Sequence, residues 1–132
     1  MDDTPIPNSG KTILLADDEQ FIVVAYGDGL ERAGYQVLTA SNGTDALSVL
    51  KKNKPDLLVL ELMIPKINGF ELLQNMKENP LLAKIPVLIL TNLSQESDRE
   101  EAQSFGVADF LVKSEISLQD VLHRVDQLLG FA

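Results

Sequence analysis

The chain has 132 residues, 45% of them hydrophobic and 5% aromatic, which suits one domain with a mainly aliphatic core. A formal net charge of −9 argues against binding nucleic acid through its phosphates and equally against an anionic membrane surface. The lack of cysteine excludes disulfides and thiolate metal sites, and a single histidine, His123, argues against an imidazole cluster or a His-based triad. Residues 1–10 hold two prolines, two acids and an Asn-Ser-Gly cluster, and read as a disordered tail before a domain over 11–132. No apolar run approaches the ~20 residues of a membrane span, and the start lacks a signal peptide's basic and apolar regions. A cytoplasmic protein is expected.

From Lys11 the pattern alternates strand and helix five times. Thr12–Ala16 is a short apolar strand, followed by a helix over Gln20–Ala33 that ends at Gly34, where a left-handed cap is easiest. That helix has a wider apolar surface than one core stripe needs, with Val23 and Val24 beside Ile22, Ala25 and Tyr26. Scattered surface exposure explains it, and a partner face is the alternative. Gln36–Ala40 is the second strand, and Asn42 can cap a helix reaching Lys52. Leu57–Leu62 forms the third strand, and Pro65–Gly69 turns into a helix from Phe70 to Asn79.

Pro86 opens a fourth strand ending at Thr91. Ser94 or Ser97 can cap the next helix, which ends at Gly106 and is nearly all polar apart from Ala102 and Phe105. It is expected to be the least firmly docked element, where a switch can lie. Asp109–Lys113 is the fifth strand. The last helix, Ser117–Leu129, carries a clean 3.6-residue stripe through Leu118, Val121, Leu122, Val125, Leu128 and Leu129. His123 is expected to face solvent. Apolar strands alternating with helices predict an α/β fold, a doubly wound parallel sheet of order 2-1-3-4-5 with five helices.

In such a sheet, ligands bind where the strands end. The first strand runs into Asp17 and Asp18, the third into Glu61, the fourth into Thr91 and the fifth into Lys113. Each has a plain explanation by itself: acids charge a helix start, threonine suits a strand, and lysine sits in solvent. Together at one sheet edge they make a site for a divalent metal and a phosphoryl-like group.

Over Lys11–Leu129 the chain resembles the receiver domain of two-component response regulators, with the flavodoxin-like arrangement of five strands. The resemblance rests on Leu14-Leu15-Ala16-Asp17-Asp18-Glu19, Pro55–Glu61, Pro65-Lys66-Ile67-Asn68-Gly69-Phe70, Pro86–Thr91 and Gly106–Lys113. It implies that Asp17, Asp18, the Glu61 carboxylate and the Met63 carbonyl hold Mg²⁺. Thr91 matches the hydroxyl that follows the phosphoryl group, Lys113 the cation paired with it, and Phe110 the switch aromatic. It also implies a sensor histidine kinase or phosphotransfer protein upstream and a downstream protein partner.

Three positions depart from that pattern. The phosphoacceptor position, usually aspartate, holds Glu61. Its side chain is about 1.5 Å longer, and a ~1 Å misplacement costs ~10²-fold in rate. Phosphorylation of Glu61 is therefore expected to be poor or absent, while its carboxylate reaches toward where phosphoryl oxygens sit. Asn92 stands where the family usually has alanine or glycine and is expected to crowd the pocket. Ser114 stands where the family usually has a cis proline, so the aim of Lys113 is expected to differ. The expectation is a stand-alone, non-enzymatic receiver, monomeric or weakly dimeric, that signals by protein–protein contact through its fourth helix, fifth strand and fifth helix. Glu61 makes it either a natural pseudo-receiver or a designed phosphomimetic. The alternative is a small Mg²⁺-dependent phosphatase or hydrolase with Glu61 or Asp17 as nucleophile. Its acids are adjacent, however, not spaced Asp-x-Asp-x-Thr as in haloacid-dehalogenase-like enzymes.

Overall fold

The computed structural model describes residues 10–131. The predicted tail, apart from Gly10, lies outside the described residues. Five strands, β1 (Thr12–Ala16), β2 (Gln36–Ala40), β3 (Leu57–Leu60), β4 (Val87–Thr91) and β5 (Asp109–Val112), alternate with five helices. These are α1 (Gln20–Arg32), α2 (Gly43–Asn53), α3 (Gly69–Lys77), α4 (Glu96–Ser104) and α5 (Leu118–Leu128). All strand pairs are parallel, in the predicted order β2-β1-β3-β4-β5.

Successive side chains leave a strand on opposite faces, so a sheet covered on both sides needs apolar residues at every position. Ile13, Leu15, Leu57, Val59, Leu88, Leu90 and Leu111 pack with residues of α1 and α5 such as Ile22, Leu30, Val121 and Val125. Leu14, Leu58, Leu60, Ile89, Phe110 and Val112 join the opposite core, with Ala46, Leu50, Leu72, Met76 and Ala102 from α2, α3 and α4. Thr91 and Phe110 therefore lie on the α4 side of the sheet, by parity with Ile89 and Val112.

The ends of the elements follow their local chemistry, with corrections to the reading above. Gly34 adopts a φ of 102° just beyond α1, and Asn42 caps α2 by accepting from the Asp45 amide. Capping boxes at Asn68–Glu71 and Ser117–Asp120 open α3 and α5. Helix α4 starts from Gln95 without a side-chain cap, not from Ser94 or Ser97; Ser97 lies inside its first turn. Lacking that cap and burying only Ala102, α4 is weakly held. Strand β3 ends at Leu60 rather than Leu62, and β5 at Val112 rather than Lys113. The reason is pairing: the β4–β5 ladder closes at Thr91 and Val112, so Lys113 has no strand beside it and enters a 3₁₀ turn, Lys113–Glu115.

The β3–α3 loop is bolted to α2 at Gly43. The Gly43 amide donates to the Pro65 carbonyl at 3.1 Å, and a Cβ at Gly43 would fall onto the Ile67 carbonyl. Because the obstacle is backbone, it cannot rotate away. Gly43→Ala is expected to lower the unfolding free energy by roughly 1–3 kcal/mol, read by urea denaturation. An unchanged midpoint would mean that the loop yields.

Candidate functional site

Asp17 and Glu61 follow neighbouring strands, and the Glu61 amide donates to the Ala16 carbonyl at 2.9 Å, extending the ladder beyond Leu60. Lys113, beyond β5, reaches across the end of β4 to meet them. Its ammonium lies 2.8 Å from Asp17 Oδ2, 2.9 Å from Glu61 Oε1 and 3.0 Å from Glu19 Oε1. An ammonium has three N–H donors, and these three oxygens use all of them. The lysine side chain is 6% exposed, Asp17 1% and Glu61 6%, so the cluster is shielded from water's screening.

Burial alone would lower the Lys113 ammonium's pKa. Hydrogen bonds to Asp17, Glu61 and Glu19 outweigh it and hold the group above the ordinary lysine value. Asp17 behaves differently: burial raises its carboxyl above the ordinary value, and Lys113 and the Glu19 amide offset this only in part. The two upward shifts have different causes: carboxylate partners raise Lys113, whereas burial raises Asp17, the most deeply buried of the three acids.

The second oxygen of each buried acid is also engaged. Asp17 Oδ1 accepts from the Glu19 amide at 2.9 Å, and Glu61 Oε2 from the Met63 amide at 3.2 Å. Asp18 is exposed; it lines one cleft with Met63, Pro65, Asn68 and Leu93 and a second beside Asp17. Thr91 is fully buried, and its hydroxyl oxygen accepts from the Leu93 amide at 3.2 Å. Phe110 is buried, with the Arg99 guanidinium of α4 placed 4.6 Å from its ring centroid.

Asp17, Glu61 and Lys113 thus converge as the sequence predicts, with Asp18 and Met63 at an adjoining cleft. The Lys113–Ser114 peptide is trans, and Ser114 does not turn Lys113 away. Asn92 is exposed, and its side chain is directed toward Ser114. His123 is exposed. Glu19 is the partner the sequence reading missed.

Among the described residues no three histidine, cysteine or acidic side chains stand converged as a metal cage. Among the described residues no helix is long and apolar enough to cross a membrane.

A doubly wound parallel sheet with acids, a hydroxyl and a lysine at the carboxyl ends of its strands has the architecture of an α/β ligand-binding domain. The chain matches the response regulator receiver domain over residues 13–126 and belongs to that family. It is 39% identical over 119 residues to the alkaline phosphatase synthesis transcriptional regulatory protein PhoP of Bacillus subtilis, covering 90% of this chain and 48% of PhoP. The chain thus spans about half the length of that relative. The receiver domain of the Francisella response regulator 1452 superposes with a TM-score of 0.84 at 27% identity, covering 92% of this chain and 98% of that one. The receiver domain of the Pseudomonas aeruginosa sensor histidine kinase PA1611, which has a magnesium ion in its active-site cleft, shares the fold. It gives a TM-score of 0.82 at 21% identity, covering 92% of this chain and 98% of that one. The chain is a receiver domain of two-component signalling.

Proposed function

We propose that this receiver domain is held in a phosphorylated-like arrangement by its own Glu61. The observation that carries the reading is the buried contact of 2.9 Å between Glu61 Oε1 and Lys113 Nζ. By family resemblance Glu61 stands at the phosphoacceptor position, and its extra methylene carries a carboxylate to the lysine that would otherwise meet a phosphoryl oxygen. It supplies about one negative charge where a phosphate would supply nearly two. Thr91 and Phe110, on the α4 side, are the elements such a contact would bias, and α4 is the least anchored helix.

Mg²⁺ belongs to this reading. Asp17, Asp18, Glu19 and Glu61 set four carboxylates near one ammonium, an excess of negative charge that a cation would offset. Asp17, Asp18 and the Met63 carbonyl offer the few hard oxygens that Mg²⁺ takes alongside water. Bound there, the ion would neutralise charge on an incoming phosphoryl group. Glu61's own carboxylate is already engaged by Lys113 and the Met63 amide.

Output is by protein–protein contact in the cytoplasm, with a histidine kinase or phosphotransfer protein upstream and the α4–β5–α5 face turned to a downstream partner. The net charge of −9 supports a domain that does not itself contact nucleic acid. The domain is not an enzyme in its own right: Glu61, the acid at the phosphoacceptor position, is held by Lys113 and the Met63 amide. Acetyl phosphate with Mg²⁺ should leave the wild-type mass unchanged and add one phosphoryl group to Glu61→Asp. A variant that gains none removes the reading's support.

A further inference from the structure

Thr91 and Val112 make the last rung of the β4–β5 ladder, and beyond it two loops leave the sheet side by side. In the first, the Thr91 hydroxyl oxygen accepts from the Leu93 amide at 3.2 Å and folds the backbone back on itself. That turn presents Asn92, whose side-chain oxygen accepts from the Ser114 backbone N–H at 3.0 Å. The two positions at which the sequence separately departs from the family pattern are therefore partners. A serine brings an N–H that a proline lacks, and the asparagine supplies its acceptor.

This bond sits where Lys113 is otherwise loosely founded. Strand β5 has ended at Val112, and in the three-residue turn Lys113–Glu115 only the lysine side chain is buried, while Ser114 and Glu115 are exposed. The ammonium reaches its three carboxylates at the end of a flexible four-carbon stem, so the base of that stem must be fixed for its tip to be aimed. We propose that Asn92 is a positioning residue for Lys113. By holding the Ser114 amide it fixes the turn from which Lys113 projects, and it ties that turn to the loop following Thr91. The loop that carries the buried hydroxyl and the loop that carries the ammonium are thereby linked one residue beyond each. The inference goes beyond the reading of Glu61 as a phosphoryl mimic and does not depend on it.

The test uses the full chain, isotopically labelled, with amide exchange read at Ser114 and lysine acylation read by peptide mass. Exposed Lys84, which precedes β4 while Asn92 follows it, is the internal reference. Asn92→Leu keeps the size but loses the acceptor, and Asn92→Asp keeps the acceptor. Asn92→Leu is expected to speed Ser114 exchange and Lys113 acylation by roughly threefold to tenfold, the range for one exposed hydrogen bond, with Lys84 unchanged. Asn92→Asp should return both rates toward wild type, which general loosening would not do. Ser114→Pro, which lacks the donor, should raise Lys113 acylation as Asn92→Leu does, and serves if the leucine variant folds poorly. An unprotected Ser114 amide in the wild type overturns the proposal. So does a Lys113 rate that Asn92→Leu and Ser114→Pro leave unmoved, or an aspartate variant that behaves like the leucine one.

Discussion

Replacing Lys113 by methionine should lower the unfolding free energy by about 3–5 kcal/mol near neutral pH, the usual consequence of removing one partner from a buried ion pair. Methionine keeps most of the side-chain volume but leaves Asp17 and Glu61, 1% and 6% exposed, without their ammonium. The pH dependence identifies the cause. In the wild type the folded-state pKa of Lys113 is raised, so its contribution is complete below the unfolded lysine value of about 10.4 and fades as pH rises through the folded value. Asp17 is raised above its ordinary 3.8, so its carboxylate weakens the fold at neutral pH and protonation relieves the burden as pH falls through that raised value. Without Lys113, Asp17 takes up its proton more readily. The deficit of Lys113→Met should therefore be largest at pH 7–9, shrink toward pH 5, and shrink again above about pH 10.5, where the unfolded lysine loses its proton while the folded one still holds it. Urea titrations across this range decide the matter. A loss below about 1 kcal/mol that ignores pH would place Lys113 among weak surface pairs.

Shortening Glu61 should have the other large effect. In Glu61→Asp the carboxylate withdraws by about 1.5 Å from Lys113. That frees the ammonium for an incoming phosphoryl oxygen and brings the nucleophile back to the reach the family uses. An aspartate oxygen would attack phosphorus in line, the bond from phosphorus to the bridging oxygen would break, and acetate would leave with that electron pair. Since a ~1 Å misplacement costs ~10²-fold, the variant should accept phosphoryl from acetyl phosphate with Mg²⁺ at least about 100 times faster than wild type. Intact mass against time reads both chains. Equal rates would mean that the extra methylene is immaterial; no transfer to either would mean that Asp17, Thr91 and Lys113 do not form a competent scaffold.

The strand ends were readable from the sequence because a buried parallel strand declares itself by continuous apolarity, and topology then gathers its last residues at one edge. That logic places Asp17, Glu61, Thr91 and Lys113 where strands end. It failed where the outcome depends on side-chain direction rather than chain path. Glu19 read as part of an acidic helix start, yet it is the third acceptor of Lys113. Asn92 and Ser114 read as two unrelated oddities, because the bond between them spans 22 residues of sequence and is set by how two loops turn. The start of α4 was misread for a related reason. Two serines lay within reach of a capping role, but the backbone entered the helix between them, at Gln95, and neither hydroxyl serves as its cap.

That Glu61 stands in for a phosphoryl group is tested most directly by the amide spectrum of α4 and β5. Wild type, Glu61→Gln, and Glu61→Asp with and without beryllofluoride and Mg²⁺ should be compared at the resonances of residues 91–113. The expected result is that wild type coincides with the beryllofluoride-loaded aspartate variant, while Glu61→Gln and the unloaded aspartate variant lie together at the other end of a common line. Wild-type resonances lying with the unloaded aspartate variant would contradict it.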